Sequence, residues 1–178
     1  MGKRSDFARV ERDFYPTPAA AVAPLIRHIP FESTYWEPCA GDGDVIKALM
    51  GHLSCVACSD IEPRGFDGWR QETDALEVSE KAVGLAGAAH IITNPPWDRK
   101  TLHPMIEHFS NMRPTWLLFD ADWAHTKQAI PFLDYCQKIV SVGRVSWMEN
   151  GTSGKDNSAW YLFDQNGYAA TEFIGRAA

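Results

Sequence analysis

Four short turns in this 178-residue chain concentrate the side chains that could do chemistry. The first, Glu37-Pro38-Cys39-Ala40-Gly41-Asp42-Gly43-Asp44, sets two glycines among three carboxylates. Glycine lets a backbone approach a ligand with no Cβ in the way, while Glu37, Asp42 and Asp44 would repel a pyrophosphate and suit a ligand with cationic character. A dinucleotide-binding turn would place Gly or Ala three residues after Gly43, and Ile46 stands there instead. The second turn, Asp60-Ile61-Glu62-Pro63, offers a carboxylate at a strand end, well set to accept both hydroxyl protons of a ribose. In the third, Thr73-Asp74-Ala75, Asp74 could accept a proton from the amino group of an adenine ring. Together these turns would hold a nucleoside with a positively charged tail. The fourth, Asn94-Pro95-Pro96-Trp97, joins an amide to two prolines that stiffen the backbone and to a flat aromatic surface. It is the most specific feature of the chain, although an ordinary turn with Trp97 plugging the core would use the same residues.

The elements that must position these turns follow from periodicity and punctuation. Thr17-Pro18 followed by AAAVAPLIRHI predicts a helix from there to about His28, capped by Thr17 with proline at its first position. STYWEP (33–38) predicts a short aromatic strand, and the glycine turn leads into GDVIKALMGH, whose Val45, Ile46 and Leu49 share a helical face. SCVACSDI predicts a second strand, ETDAL ends a small element, and AHIITN predicts a strand that stops at Pro95. TLHPMIEHFSNM reads as a helix, TWLLFD as a buried strand, and QAIPFLDYC as a helix that its proline kinks or starts late. The rhythm then changes. KIVSVGRVSWM and SAWYLFDQ are two β-rich runs separated by ENGTSGKDN, predicting a hairpin that closes one edge. The expected fold is α/β, a three-layer Rossmann-like domain over residues 1–178, its sheet mostly parallel with a C-terminal antiparallel hairpin. In open parallel sheets, ligands gather beyond the carboxyl ends of the strands, where all four turns fall.

Composition narrows the function classes. Hydrophobic residues make up 45%, aromatics 12% and charged residues 22%, which excludes disorder, collagen and coiled coil. No apolar run approaches the roughly 20 residues that cross a bilayer, and the start lacks a signal peptide, so no membrane partner and a cytoplasmic location are expected. The formal net charge of −6 confines any nucleic-acid contact to local regions. One such region is the basic arm of residues 1–12, with Lys3, Arg4, Arg9 and Arg12, which otherwise reads as a flexible, solvated terminus. Arg99 and Lys100 read as exposed charges at a helix start. Cys39, Cys55, Cys58 and Cys136 are expected as reduced thiols, and neither the Cys55-x-x-Cys58 pair nor the six histidines form a metal motif, so no metal is expected.

The order of these turns resembles the S-adenosylmethionine-dependent DNA adenine-N6 (amino) methyltransferases, which carry Asn or Asp, Pro, Pro and an aromatic residue after the fourth strand. The resemblance spans roughly residues 13–100 and includes Phe14-Tyr15-Pro16-Thr17-Pro18 ahead of the glycine turn. It implies S-adenosylmethionine as cofactor, with Tyr15, Thr17 and Pro18 at its methionine end and Glu37, Pro38, Ala40, Gly41 and Gly43 shaping the turn beneath it. Asp60 would bind the ribose, Ile61 would pack on the adenine ring, and Asp74 with Ala75 would meet its amino edge. Asn94, Pro95, Pro96 and Trp97 would form the pocket for the reacting base. A ring amine is a poor nucleophile because its lone pair is delocalised. If the Asn94 side-chain oxygen and the Pro95 carbonyl each accept one N–H, the nitrogen is drawn toward tetrahedral geometry and its lone pair is freed. No general base is required before the transfer.

A base inside a duplex cannot reach such a pocket, so a flipped or single-stranded substrate is implied. Trp97 would stack on that base, and Trp147 is the candidate for a second stacking partner, with a packed hairpin aromatic as the alternative. The loop Glu149 to Asn157 would serve as a lid, a strand guide or a plain hairpin loop. The chain departs from the family in having no separate target-recognition domain, like compact phage or prophage enzymes, so sequence specificity would come from a second copy or another subunit. Three rival readings remain: methylation of RNA adenine, methylation of a protein glutamine side chain, and a non-catalytic donor-binding remnant.

Overall fold

A computed structural model describes residues 15–62, 64–65, 71–147 and 156–176. The basic arm, Phe14 and residues 149–155 of the expected loop lie outside these described residues. In chain order the elements are α1 (Ala19–Ile26), β1 (Thr34–Glu37), α2 (Asp44–Leu49), β2 (Ser54–Asp60), β3 (Gln71–Glu72) and α3 (Glu80–Ala86). They continue with β4 (His90–Thr93), α4 (Arg99–Met112), β5 (Thr115–Asp120), α5 (Ile130–Leu133), β6 (Cys136–Gly143), β7 (Ser158–Phe163) and β8 (Glu172–Ile174). The strands form one sheet of eight in the order β3-β2-β1-β4-β5-β7-β6-β8. Every pairing is parallel except those of β7, which runs antiparallel to both β5 and β6. Among the described residues no helix is long and apolar enough to cross a membrane.

Strand alternation sends successive side chains to opposite faces and so divides the core. Leu117 and Phe119 of β5, with Tyr161 and Phe163 of β7, face α3, α4 and α5. Trp116 and Leu118, with Trp160, face α1 and α2. Each face thus has its own helical cover, the three-layer arrangement expected. On the first face Phe119 stacks on Tyr161 at 4.2 Å, and the Tyr161 hydroxyl donates to the carbonyl of Asp120 at 3.2 Å, tying the end of β5 to β7. On the second face the Trp160 Nε1–H donates to the Ala21 carbonyl at 2.8 Å and anchors α1. The Trp160 bond matters because both partners are buried, where an unmade hydrogen bond costs about 1–3 kcal/mol.

The structure corrects the expected elements in four places. Helix α1 begins at Ala19 with Pro18 as its cap, and no side chain caps it, so the Thr17 hydroxyl is not spent on the helix. The hairpin does not close the edge: β7 is interior, and the edge belongs to β8, whose three residues are too few to show alternation in sequence. The helix α3 was not among the expected elements, yet Ser79 caps it by accepting from Ala82 N at 3.3 Å and Gly87, at φ 76°, ends it. The helix expected over QAIPFLDYC shortens to α5, with Pro131 in its first turn and Cys136 already in β6.

Helix α4 carries a pH-dependent contact. The Trp123 Nε1–H donates to His103 Nε2 at 3.1 Å, which requires the neutral ring with its proton on Nδ1. Burial lowers the His103 pKa below 6.5, helped by Arg99 and opposed by Glu107. The unfolded chain therefore binds a proton before the folded one does. The contribution is present in full above pH 6.5 and is lost as pH falls through the lower folded value. His103→Gln keeps an acceptor oxygen but does not titrate. The urea midpoint of the native protein should fall between pH 7.5 and pH 5, and that of His103→Gln should fall by less.

Candidate active site

The parallel strands β1, β2, β3 and β4 all end at the same edge of the sheet, and the four chemistry-bearing turns meet there around a cavity of about 650 Å³. The turn after β1 is built on two left-handed glycines, Gly41 at φ 49° and Gly43 at φ 77°, a conformation that side chains with a Cβ resist. Two bonds sew it to β2 and a third closes it on itself. Ala40 N donates to the Ser59 carbonyl at 2.9 Å, Gly41 N to Asp60 Oδ2 at 2.7 Å, and Gly43 N back to the Ala40 carbonyl. The other Asp60 oxygen accepts from Glu62 N at 3.0 Å. Asp60, 8% exposed, therefore holds two backbone turns in register. A carboxylate has about four lone-pair sites, so these two bonds leave capacity facing the cavity that Asp60 lines.

Glu37 lies beneath the turn, fully buried, and its Oε1 accepts from Cys39 N at 3.3 Å. Its Oε2 and the Thr93 hydroxyl are both buried, and neither makes a hydrogen bond of full geometry among the described residues, although the hydroxyl lies near enough to act on the carboxyl. Burial pushes the Glu37 carboxyl well above its ordinary range, with the Thr93 hydroxyl and the Cys39 N–H pulling weakly the other way and the charge of Asp60 adding to the rise. Burial thus disfavours the charged form of Glu37 beneath the turn.

The rest of the cavity wall comes from further along the chain. Pro38, Ala40 and Gly41 line it from the first turn, Ile61 from the second and Asp74 with Ala75 from the third. Ile61 is 51% exposed, an apolar plate at the mouth. Asp74 caps a short helical turn by accepting from Leu76 N at 2.9 Å. Tyr15 and Thr17 close the side nearest α1, and Asn94 and Pro96 the side nearest α4. Pro18, Glu37, Gly43, Pro95, Trp97 and Trp147 do not line the cavity.

Asn94 is held from both ends. Its Nδ2 donates to Thr17 Oγ1 at 3.0 Å, and its Oδ1 accepts from Trp97 Nε1 at 3.1 Å. Thr17 is held in turn, because its backbone N–H donates to Asp44 Oδ2 at 3.1 Å in the first turn of α2. The two tryptophans meet edge to face, with ring centroids 5.4 Å apart and planes at 89°. Two parallel walls with a base between them would need coplanar rings farther apart, so in this arrangement Trp97 and Trp147 do not form a stacking slot.

Sequence reasoning passed over Asp98, Arg64 and Met105 at the site, and gave Asp42 a charge but no bond. Asp42 accepts from Gly65 N at 3.0 Å through its side chain, and Asp98 caps α4 by accepting from Lys100 N at 3.0 Å. Both line the cavity, as do Arg64, Lys100 and Met105. The signal for Asp98 was present, an Asx residue directly before a helix. The donor set fits a cationic ligand: Asp42, Asp44, Asp60, Asp74 and Asp98 outnumber Arg64 and Lys100 among the charged residues described at the wall. Among the described residues no cluster of His, Cys, Asp and Glu could hold a metal ion.

No protein-family model and no curated protein matches the sequence. Solved structures do resemble it. A putative RNA methyltransferase from Pyrococcus horikoshii superposes with a TM-score of 0.56 at 14% identity, covering 91% of this chain and 91% of that one. A modification subunit of a putative type I restriction enzyme from Vibrio vulnificus matches with a TM-score of 0.56 at 12% identity, over 93% of this chain and 47% of that one. A DNMT2 mutant from Spodoptera frugiperda matches with a TM-score of 0.56 at 12% identity, over 82% of this chain and 55% of that one. This chain thus spans about half the length of the last two. At these identities the likeness is one of fold, the Rossmann-like methyltransferase fold.

The geometry makes Asp60 a brace as well as a wall. Asp60→Ala removes the acceptor of two backbone N–H groups and should lower stability by about 1–3 kcal/mol in urea unfolding. Asp60→Asn, which keeps one acceptor oxygen, should lose less.

Proposed function

We propose that the chain is an S-adenosylmethionine-dependent methyltransferase whose acceptor is the exocyclic N6 amine of adenine in DNA. The observation that carries this reading is the meeting at one cavity of an acid-rich wall under a glycine turn with an amide held at its lip by Thr17. When bound, the donor supplies an electrophilic methyl carbon. Everything else is the work of the chain's own residues. Five aspartates favour a cationic ligand and disfavour a phosphate. The spare lone pairs of Asp60 suit ribose hydroxyls, and Ile61 offers an apolar face to a flat ring. The second oxygen of Asp74 suits an amino edge. Tyr15 and Thr17, on the side of the cavity next to Asn94, suit the methionine end, with Pro18 supporting them from behind.

On the acceptor side, Asn94 Oδ1 and the Pro95 carbonyl would each take one N–H of the amine, while Pro96 holds the turn rigid. The nitrogen is thereby drawn toward tetrahedral geometry with its lone pair toward the cavity. Alignment supplies most of the rate in such a reaction, because a well-oriented pair avoids the entropy of a bimolecular encounter. The base must leave a duplex to reach Asn94, at a cost of a few kcal/mol, so single-stranded or flipped DNA is the natural substrate. Target choice would rest on a second copy or a separate specificity subunit.

The test is transfer of a labelled methyl group from S-adenosylmethionine to duplex DNA, single-stranded DNA, RNA and a protein lysate, followed by nucleoside analysis. Label in 6-methyladenine of DNA supports the reading. Label in RNA or in glutamine moves the acceptor to those classes, and no label with measurable donor binding identifies a donor-binding remnant. Within this scheme Asn94→Ala should lower turnover by about 100-fold, the usual cost of removing one transition-state hydrogen-bonding group. S-adenosylhomocysteine affinity by calorimetry should stay within about threefold, because Asn94 serves the acceptor. Equal loss of both would show that Asn94 belongs to donor binding.

A further inference from the structure

Asn94 is useful as an amine acceptor only if its oxygen, not its nitrogen, faces the base, and an amide can rotate by half a turn with little change in shape. The structure supplies the means of choosing. An indole N–H donates and never accepts, so the Trp97 Nε1–H, 3.1 Å from Asn94 Oδ1, is compatible with one amide orientation alone. The Thr17 hydroxyl at the opposite end accepts from Nδ2 at 3.0 Å, and the Thr17 backbone is itself pinned to Asp44 Oδ2 at 3.1 Å. The reversed amide would point its NH₂ at the indole N–H, two donors facing each other in a half-buried place. Of the two lone pairs on Oδ1, the indole takes one and the other is left for an incoming N–H.

The ring of Trp97 is otherwise occupied. It packs on the core cluster under α4, meets Trp147 edge to face, and does not line the cavity. We propose that Trp97 and Thr17 are positioning residues that fix the orientation of the Asn94 amide, and that Trp97 acts through its N–H rather than as a stacking plate for the base. This rests on the reading of Asn94 as the amine acceptor. Phenylalanine or tyrosine at position 97 would keep the flat face and lose the orienting N–H.

The experiment separates the N–H from the ring. Trp97→Phe retains an aromatic face, Thr17→Val retains shape without a hydroxyl, and Thr17→Ser restores the hydroxyl. Thermal melts establish that each variant is folded, and S-adenosylhomocysteine affinity does so again for Trp97→Phe. With single-stranded DNA as acceptor, Trp97→Phe and Thr17→Val should each lower kcat by about tenfold, corresponding to about 1.4 kcal/mol, with KM for DNA within about twofold. Thr17→Ser should recover most of kcat. A Trp97→Phe enzyme with full kcat and a raised KM would overturn the proposal in favour of stacking. A second readout needs no turnover. In nitrogen-15 spectra, hydrogen exchange of the Trp97 indole should quicken by about tenfold or more in Asn94→Ala, the loss expected for one released hydrogen bond. Unchanged exchange would overturn the proposal by itself. If the native protein methylates no substrate, the acceptor reading fails while the exchange measurement still decides the orientation.

Discussion

Parallel strands cannot be joined by tight turns, and that constraint organises this molecule. Each of β1, β2, β4 and β5 must be followed by a crossover, and each crossover begins at the same edge of the sheet. Four short turns widely separated in sequence are thereby brought to one place, and any chemistry written into them becomes shared. The one strand that breaks the rule, β7, lies between β5 and β6 and leaves β6 and β8 running with the majority. Because β6 runs with the majority, it ends on the ligand side and delivers the segment from Gly143 to Trp147 there, where Trp147 meets Trp97.

At that edge, backbone and side-chain electrostatics divide the work. Asp60 is engaged twice by amides of the chain and still borders the cavity, so one carboxylate stiffens the glycine turn and charges the wall. Glu37 behaves oppositely: burial raises its pKa, and it lies beneath the turn rather than in the cavity wall. Asp98, which the sequence pattern did not single out, adds a further carboxylate to the cavity wall. A cationic ligand is favoured because charges lining a partly enclosed cavity interact through less water than charges on an open surface.

The acceptor side depends on a relay of hydrogen bonds rather than on charge. Asp44 holds Thr17, Thr17 holds Asn94, and Asn94 is held again by Trp97. Each donor or acceptor in the relay has its geometry set by the preceding one, so the amide at the lip inherits its rigidity from α2 and from the core beneath α4. The Trp97 N–H is thereby committed to Asn94, and its ring meets Trp147 edge to face.

Much of this was legible along the chain. The unbroken apolar run in TWLLFD and the β-rich run SAWYLFDQ mark β5 and β7, since each strand buries both faces in separate cores. The turn residues Gly41, Gly43, Asp60, Asp74 and Asn94 announce themselves because only small or polar side chains suit backbone that leaves a strand beside a ligand. Other features had no local signature. The strand β8 has three residues, too few for a period to register. Thr17 reads as a helix cap because Thr-Pro before alanines favours one, yet Pro18 takes that place and releases the hydroxyl. The bond from Asn94 to Thr17 joins residues 77 apart, and that from Thr17 to Asp44 joins residues 27 apart. The sequence by itself determined which residue types stand at the strand ends and hence the chemistry on offer. Tertiary structure alone decided which of them touch, because hydrogen bonds select partners by distance and angle, and those are settled only when the sheet brings distant turns together.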